Sequence, residues 1–311
     1  MSAVEAVPQG PGAGPKASPS AGGTGAAGGT GGVWGAGGAR GARPGRLVRE
    51  ARAVRVLWHR EMVRLLRTKV QIVMGLVTPV MFLLVMGTGL ESMGTTAGDA
   101  FEQFRSFLFP GVLVMATQAP ALAVGLSVVM DRQSGMLRQA MVAPVHRVSL
   151  LLGLSLGGAT CGAVYGGLVL AISGTVGIAY HPLLLVALLE VALIALLFTA
   201  GGMLAAVTIQ RIQTFQVLMG LALMPLMFLS GAMFSPSGLP RWLGIVVHLN
   251  PLTYAVDAVR RTLPGELDMG GYAGPPQIAG WTPPVAVEVC FVTVLAVLML
   301  VAAARRFARR G

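Results

Sequence analysis

The chain has 311 residues, of which 54% are hydrophobic and only 11% are charged, whereas an average soluble domain carries about 25% charged residues. This composition excludes an ordinary soluble domain and indicates a membrane protein. The formal charge of +11 does not indicate nucleic-acid binding, because the basic residues avoid the apolar runs and cluster at their ends, where lipid head groups and topology account for them.

The N-terminal residues 1–45 consist mainly of Gly, Ala, Pro and Ser, with few branched apolar side chains. Such a segment cannot bury enough surface to offset the entropy of ordering. Its GGTGAAGGTGG stretch is too weakly hydrophobic for a signal peptide. We therefore expect residues 1–45 to be a disordered cytoplasmic tail.

Residues 46–69 change to the pattern RLVREARAVRVLWHREMVRLLRTK. Apolar side chains recur at steps of three and four, which places them on one face of a helix: Leu47, Ala51, Val54, Trp58, Met62 and Leu65. A basic amphipathic helix of this kind suits the inner membrane surface. Two interpretations remain open: a solvated helix that leads into the first span, and a helix that lies in the membrane interface and touches a partner.

Residues 70–311 contain six apolar runs, each close to the 20 or so residues that a helix needs to cross a bilayer. They are Val70 to Leu90, Phe107 to Met130, Leu150 to Ala179, Leu183 to Ile209, Phe215 to Phe234 and Pro284 to Ala304. The predicted fold is an all-α polytopic membrane protein with six transmembrane helices, preceded by the amphipathic helix.

The basic residues predict how these spans are oriented. With six spans both termini lie on one side, and the segments of that side carry 19 of the 23 Lys and Arg residues. The excess of positive charge on cytoplasmic segments predicts that both ends are cytoplasmic. Residues 91–106 and 235–283 are then external.

The third predicted span carries glycines at four-residue spacing: Gly158, Gly162 and Gly166, with Gly153 and Gly157 one step earlier. Small residues at this spacing let another helix approach closely. The neighbour could be a helix of the same chain or of a second copy.

Glu190 is the one acid well inside a predicted span. A carboxylate at that depth is costly unless it is protonated, paired or facing water, so Glu190 is an intramembrane candidate for function. A hydrogen bond to a neighbouring helix is the alternative. Glu288, four residues into the last span, is expected at the interface.

The ionisable residues outside the spans predict no metal site and no catalytic group. The two cysteines, Cys161 and Cys290, fall inside apolar runs, and the four histidines are far apart in sequence. We see no nucleophile paired with a base and no paired acids in these segments.

Two loops carry the most informative patterns. The inner loop, residues 131–147, predicts a short helix that Asp131 or Ser134 caps and Pro144 ends, with Met136 and Leu137 in an apolar patch. In the external segment, residues 235–283, Pro236 and Pro240 interrupt a helix and the Asn250-Pro251 pair turns the chain back. This pattern predicts a re-entrant hairpin, acceptable at membrane depth only where protein or water covers its backbone.

The order and spacing of these motifs resemble those of type-2 ABC transporter permeases, over about residues 46–311. The inner loop is similar to the family's D-R-E-x-G … x-P-V-x-R segment, matched by Asp131, Arg132, Gly135, Leu137, Pro144, Val145 and Arg147. The external segment is similar to L-S-G-x-x-x-P … L-P … N-P-L-T-Y-x-x-D-x-x-R, matched by Leu229, Ser230, Gly231, Leu239, Pro240, Asn250, Pro251, Leu252, Thr253, Tyr254, Asp257 and Arg260. Gln133 departs from the family's glutamate.

Within the family the resemblance is to antibiotic-resistance permeases of the daunorubicin exporter type. It implies a transporter subunit of the bacterial plasma membrane that pairs with a second permease copy, as a homodimer, and with two cytosolic ABC ATPase subunits. ATP and Mg would bind those partners, since this chain has no G-x-x-x-x-G-K-[ST] phosphate loop and no cofactor of its own.

The resemblance also assigns candidate residues. ATPase docking is expected at Asp131, Arg132, Gly135, Met136, Leu137, Arg138, Pro144 and Arg147. An external gate is expected at Gly231, Pro236, Pro240, Asn250, Pro251, Tyr254, Asp257 and Arg260.

Three functional hypotheses follow. The first is a permease that exports hydrophobic or amphipathic small molecules, including antibiotics. The second keeps the permease and changes the cargo to a lipid-linked glycan or polymer. The third is a channel or membrane scaffold that works without an ATPase.

Overall fold

A computed structural model describes residues 46–91, 98–134, 147–176, 178, 180–233, 240–263 and 281–309. Its regular elements in these ranges are helical, which confirms the all-α expectation there. The α-helices are α1 Arg46–Arg67, α2 Lys69–Glu91, α3 Gly98–Gln133, α4 Arg147–Ala171, α5 Leu183–Thr208, α6 Ile212–Phe228, α7 Arg241–Leu249, α8 Pro251–Thr262 and α9 Val285–Arg309. The predicted tail, residues 1–45, lies outside the described residues.

Four described helices are long and apolar enough to cross a membrane: Phe107–Gln133, Val148–Ala171, Leu183–Thr208 and Val285–Phe307. A fifth candidate is the pair Leu47–Arg67 and Lys69–Val85, if the 77° bend between its two helices lies within one span. Four of the six predicted spans therefore have a helix of sufficient length, and the predicted first span corresponds to α2.

Two predicted boundaries differ from the structure. The third span was expected to reach Ala179, but α4 ends at Ala171 and a short 3-10 turn, Ser173–Val176, follows. The Tyr180 hydroxyl donates to the free carbonyl of Ala171 at 2.7 Å. In place of the fifth span, α6 covers only 17 residues and stops at Phe228, before a turn in which Gly231 has φ 73°. Glycine adopts that conformation without the steric cost that other residues meet.

Helix α5 lies at the centre of the bundle, in contact with α3, α4 and α9. Its neighbour α4 packs against it along the glycine row Gly158, Gly162 and Gly166. A Cβ on Gly162 would lie 2.3 Å from the Cβ of Ala195, and one on Gly166 would lie 2.3 Å from Cγ1 of Val191. The row is occupied by a helix of the same chain, so it is not the surface that meets a second copy.

Helix α1 packs on the other glycine pair of α4. A Cβ on Gly153 would meet the Cβ of Leu57 at 2.8 Å, and one on Gly157 would meet Cγ of Glu61 at 2.8 Å. The Trp58 indole N–H donates to the Thr160 hydroxyl at 3.0 Å. The amphipathic helix predicted for residues 46–69 is therefore present, and its buried face rests on α4.

Candidate functional site

The helix pair α7–α8, residues 240–263, is built around Asn250. The Asn250 side chain caps α8 by accepting from the Leu252 N–H at 3.0 Å, and its amide donates to the Leu226 carbonyl of α6 at 2.7 Å. Pro251 occupies the first turn, where its missing N–H costs nothing and its fixed φ suits a helix. The predicted turn at Asn250 and Pro251 is thus a helix junction tied to α6.

Helix α8 is buried along nearly its whole length and lies beside α9, α5 and α3. Tyr254 makes an edge-to-face contact with Phe291, with the ring centroids 5.1 Å apart, and its hydroxyl donates to the His248 carbonyl at 2.9 Å. Later along α8, Arg261 contacts Pro283 and Glu288, which precede Phe291 in the chain. The two helices therefore run antiparallel, with the start of α8 beside the interior of α9.

Arg260 joins the last turn of α8 to two other elements. Its side chain is 7% exposed, one guanidinium nitrogen donates to the Gly231 carbonyl at 2.9 Å, and the group lies 4.5 Å from the centre of the Phe107 ring on α3. Both contacts compensate a buried cation for its lost water. They bring Gly231 and Arg260, predicted together as gate residues, into direct contact.

Arg261 lies between two carboxylates. It is paired with Asp257 one turn earlier on α8 and with Glu288 of α9, where the nitrogen and oxygen are 2.6 Å apart, and it donates to the Pro283 carbonyl at 2.9 Å. Glu288 is only 1% exposed. Glu288, which was expected at the membrane interface, lies in the first turn of α9, and Arg261 provides a partner that makes its burial acceptable.

Glu190 of α5 is also buried and faces the same region. One carboxyl oxygen accepts from the Thr262 hydroxyl at 2.7 Å, and the other has no partner among the described residues. A small cavity beside it, with room for about one water molecule, is lined in part by Ala255, Ala258 and Val289. Of the two alternatives for Glu190, a hydrogen bond to a neighbouring helix is the one that this structure contains.

The inner loop is described only at its beginning. Asp131 lies 3.5 Å from the Arg60 guanidinium of α1, and Arg132 donates to the Val207 carbonyl of α5 at 3.2 Å. The Gln133 amide donates to the Gln210 carbonyl at 2.8 Å, a bond for which the family's glutamate has no N–H. The docking residues outside the described part of the chain are Gly135, Met136, Leu137, Arg138 and Pro144, together with the Arg147 side chain.

Most of the predicted external gate residues fall within this site. Gly231, Asn250, Pro251, Tyr254, Asp257 and Arg260 lie on α8 or in direct contact with it. Pro240 precedes α7 and is exposed, and Pro236 lies outside the described residues. Sequence reasoning missed Arg261, Thr262, Glu288 and, on α1, Glu61; the i,i+4 spacing of Asp257 and Arg261 was the available signal for the first.

Comparison with known proteins identifies the family. The family model described as ABC-2 type transporter matches residues 52–263, about two thirds of the chain. This chain belongs to the ABC-2 type transporter family. The match includes α1, the inner loop and the α7–α8 pair, which confirms the resemblance to type-2 ABC permeases.

Several relatives of this chain are named as permeases. The inner membrane transport permease YadH of Escherichia coli is 29% identical over 67% of this chain and 81% of its own. The daunorubicin resistance ABC transporter permease protein DrrB1 of Streptomyces coeruleorubidus is 28% identical over 67% and 74%. The putative transport permease ycf38 of Cyanophora paradoxa is 27% identical over 66% and 72%. Together with the apolar helices, these relatives make the permease a multi-pass membrane protein.

Among the described residues, no three His, Cys, Asp or Glu side chains are arranged to hold a metal ion. The charged groups that the structure brings together instead join helices: α8 to α9 through Arg261, α8 to α5 through Thr262, and α1 to α3 through Arg60. Such contacts hold these helices in the observed arrangement.

Proposed function

We propose that this chain is the membrane subunit of an ATP-driven exporter that moves hydrophobic or amphipathic small molecules, including antibiotics, out of the cell. The match of residues 52–263 to the ABC-2 type transporter family carries the proposal. The named relative DrrB1, a daunorubicin resistance permease, supports a small-molecule cargo. The relative YadH, an inner membrane permease, supports the bacterial plasma membrane as the location.

Energy comes from two cytosolic ABC ATPase subunits that bind ATP and Mg. They dock on the inner loop through Met136, Leu137 and Arg138, next to the described contact between Asp131 and Arg60 of α1. A push on this loop reaches α1 through that contact and α5 through Arg132. Docking thus connects to α1 and α5, two of the helices that pack on α4.

Co-purification tests the docking step. A candidate ABC ATPase is co-expressed with the permease, and Met136→Glu with Leu137→Glu is compared with a control pair, Arg305→Glu and Arg306→Glu, at two exposed positions near the end of α9. We expect the docking pair alone to reduce ATPase recovery about tenfold or more, because charges replace a buried apolar patch. Equal recovery in both variants would reject this docking surface.

A transport assay separates this proposal from its alternatives. Purified complex in liposomes is given daunorubicin as the probe, with MgATP on one side. ATP-dependent movement of the probe supports the exporter. Movement without any ATPase supports a channel, and ATP hydrolysis that a lipid-linked glycan stimulates while daunorubicin does not supports the polymer exporter.

The six-span topology with both termini inside rests on the distribution of basic residues, 19 of 23 on one side. Here α6 is the fifth span, completed by residues beyond Phe228, and α7–α8 forms a re-entrant hairpin on the outer side. The antiparallel contact of α8 with α9 supports this, since α8 runs back toward the outer side where α9 begins.

Impermeant maleimide applied to intact cells should label Trp242→Cys and leave Arg305→Cys unlabelled. The reverse labelling pattern would show that the topology is inverted.

A second permease copy packs on α6. Only Phe215 and Met227 of its 17 residues are buried in the single chain, and a Cβ on Gly220 would meet nothing within 4 Å. Small residues on an uncovered apolar face favour helix pairing in membranes. Oxidation should crosslink two copies through Gly220→Cys and not through the control Leu185→Cys on α5; no crosslink at position 220 would place the homodimer contact elsewhere.

The α7–α8 hairpin forms the external gate. Asn250, Tyr254 and Arg260 connect it to α6, α9, α3 and the turn at Gly231. A cysteine scan over residues 240–262 should show labelling on α7 that changes with MgATP and protection on α8. Uniform labelling along both helices would contradict the proposal that this hairpin is the gate.

A further inference from the structure

The last turn of α8 binds its surroundings through three consecutive side chains, each of which contacts a different element. Arg260 donates to the Gly231 carbonyl after α6 at 2.9 Å and faces Phe107 of α3. Arg261 pairs with Glu288 of α9 at 2.6 Å. Thr262 donates to Glu190 of α5 at 2.7 Å. One turn of helix is thus connected to α3, α5, α9 and the turn after α6.

Helix α7 has a different environment. Its exposed side chains include Trp242 at 68%, Ile245 at 62% and Leu249 at 76%, and Val247 alone is buried among those of α7 that the structure describes. Two hydrogen bonds reach its C-terminal end, from the Thr253 and Tyr254 hydroxyls of α8 to the Val247 and His248 carbonyls. Little of α7 is therefore fixed to the bundle.

The two helices differ in what it costs to displace them. Moving α8 away from α9 separates Arg261 from Glu288 and leaves the buried Glu288 carboxylate without a cation, which is strongly unfavourable. Moving α7 uncovers one buried side chain and breaks two hydrogen bonds between neutral groups, which is a much smaller cost. Because Pro251 supplies no backbone N–H at the junction, the chain there bends without losing a helical hydrogen bond.

We propose that Arg260, Arg261 and Thr262 are positioning residues that hold α8 on the bundle throughout the transport cycle, so that α7 is the half of the gate that moves. The inference rests on the proposed function of the hairpin as the external gate and divides that gate into a fixed and a moving helix. Asn250, which caps α8 and binds the Leu226 carbonyl, lies on the fixed side of the junction.

Cysteine labelling of the complete complex in lipid nanodiscs tests this division. In a background with Cys161→Ala and Cys290→Ser, one reporter is Ala258→Cys, at a buried position beside the small cavity, where a sulfur atom has space. The other reporter is Ile245→Cys on the exposed face of α7. The probe is a maleimide, and the quantity measured is the labelling rate.

Without nucleotide, we expect Arg261→Gln to raise the labelling rate at Ala258→Cys about tenfold or more, since the opening of α8 no longer breaks the pair with Glu288. Arg261→Lys should keep the rate within about threefold of the starting protein, because the ammonium still pairs with an acid. Arg211→Gln, on an exposed loop, is the matched control. If Arg261→Gln does not fold, Thr262→Val, which removes one hydrogen bond, should raise the rate about threefold.

With MgATP and vanadate, labelling at Ile245→Cys should change and labelling at Ala258→Cys should stay low. An unchanged rate at Ala258→Cys in Arg261→Gln, or an ATP-dependent rise at Ala258→Cys equal to that at Ile245→Cys, would overturn the inference and leave the gate itself in place. If ATP changes the labelling rate at neither reporter, neither helix of the hairpin moves, and the proposed gate is rejected together with the inference.

Discussion

The two ends of this permease hold their peripheral helices by different means. At one end, α8 is fixed to other elements by charged side chains: Arg261 pairs with Glu288 of α9, and the buried Arg260 contacts Gly231 and Phe107. At the other end, α1 rests on Gly153 and Gly157 of α4 by shape. Its buried Glu61 pairs with arginines of α1 itself, and its charge contact with Asp131 of α3 is an exposed one at 3.5 Å. Buried charges allow one arrangement, whereas a glycine groove allows small shifts along it.

The difference follows from solvation. A buried ion pair is held strongly because separation leaves an unpaired charge in a medium that solvates it poorly. An exposed pair is weak because water and salt replace either partner. In the proposed exporter, this division would let α1 adjust with the inner loop while α8 keeps its position.

The largest effect should come from Arg261→Met, which leaves Asp257 and Glu288 buried without their cation. We expect a loss of about 3–5 kcal/mol of stability and a fall of about 6 °C or more in the unfolding temperature in detergent. Adding Asp257→Asn and Glu288→Gln should restore most of it. A fall no greater than that of the exposed control Arg211→Met would contradict the assignment of a buried ion pair.

A smaller effect is expected from Gly162→Ala on α4, because the new Cβ would lie 2.3 Å from the Cβ of Ala195 and alanine cannot rotate away. The helices α4 and α5 must separate, at a cost of about 1–3 kcal/mol. Gly167→Ala on the same helix is the control, since its Cβ would make an ordinary 3.4 Å contact with Leu188. Equal unfolding temperatures for the two variants would show that α4 and α5 do not pack this closely.

The bond between Thr262 and Glu190 should contribute about 1 kcal/mol. Thr262→Val, Glu190→Gln and the double variant form a cycle in which the unfolding free energy is measured at each corner. We expect a coupling energy of about 1 kcal/mol between the two positions. Independent, additive effects would show that the two side chains do not interact.

The smallest effect is expected where α1 meets α3. Arg60 is 44% exposed and Asp131 is 26% exposed, so Asp131→Asn, which leaves the pair between Arg60 and Glu61 intact, should change stability by less than about 1 kcal/mol. Raising the salt concentration should reduce even that difference. A loss as large as that of Arg261→Met would mean that both ends are held in the same way, and the comparison between them would fail.

Much of the architecture could be predicted from the sequence, and particular residues show where prediction stopped. Hydropathy located α2, α3, α4, α5 and α9, because each is a long apolar run. It placed the end of the third span at Ala179, whereas α4 ends at Ala171, since the apolar run continues past the point where Ser173 and Gly174 interrupt the helix. The contacts that complete that turn join residues that are apart in the chain, so a local sequence pattern does not reveal them.

The site was predictable in part. Asn250, Pro251 and Arg260 were identified by resemblance, and the structure places them at the start and end of α8. The pairing of Arg261 with Glu288 joins residues on two helices, which a single sequence does not reveal. Glu61 lies outside the predicted apolar face of α1, yet it is 3% exposed, because Gly157 makes room for it and both Arg60 and Arg64 pair with it.

The bend between α1 and α2 has a mechanical consequence. Helix α1 has 22 residues and is therefore about 33 Å long, and it meets α2 at an angle of 77° near Thr68. It acts as a lever with its fulcrum at Thr68, so that a rotation of about 5° moves its far end by about 3 Å. Arg60, near the fulcrum, moves far less, so a small displacement at its contact with Asp131 becomes a larger displacement at the start of α1.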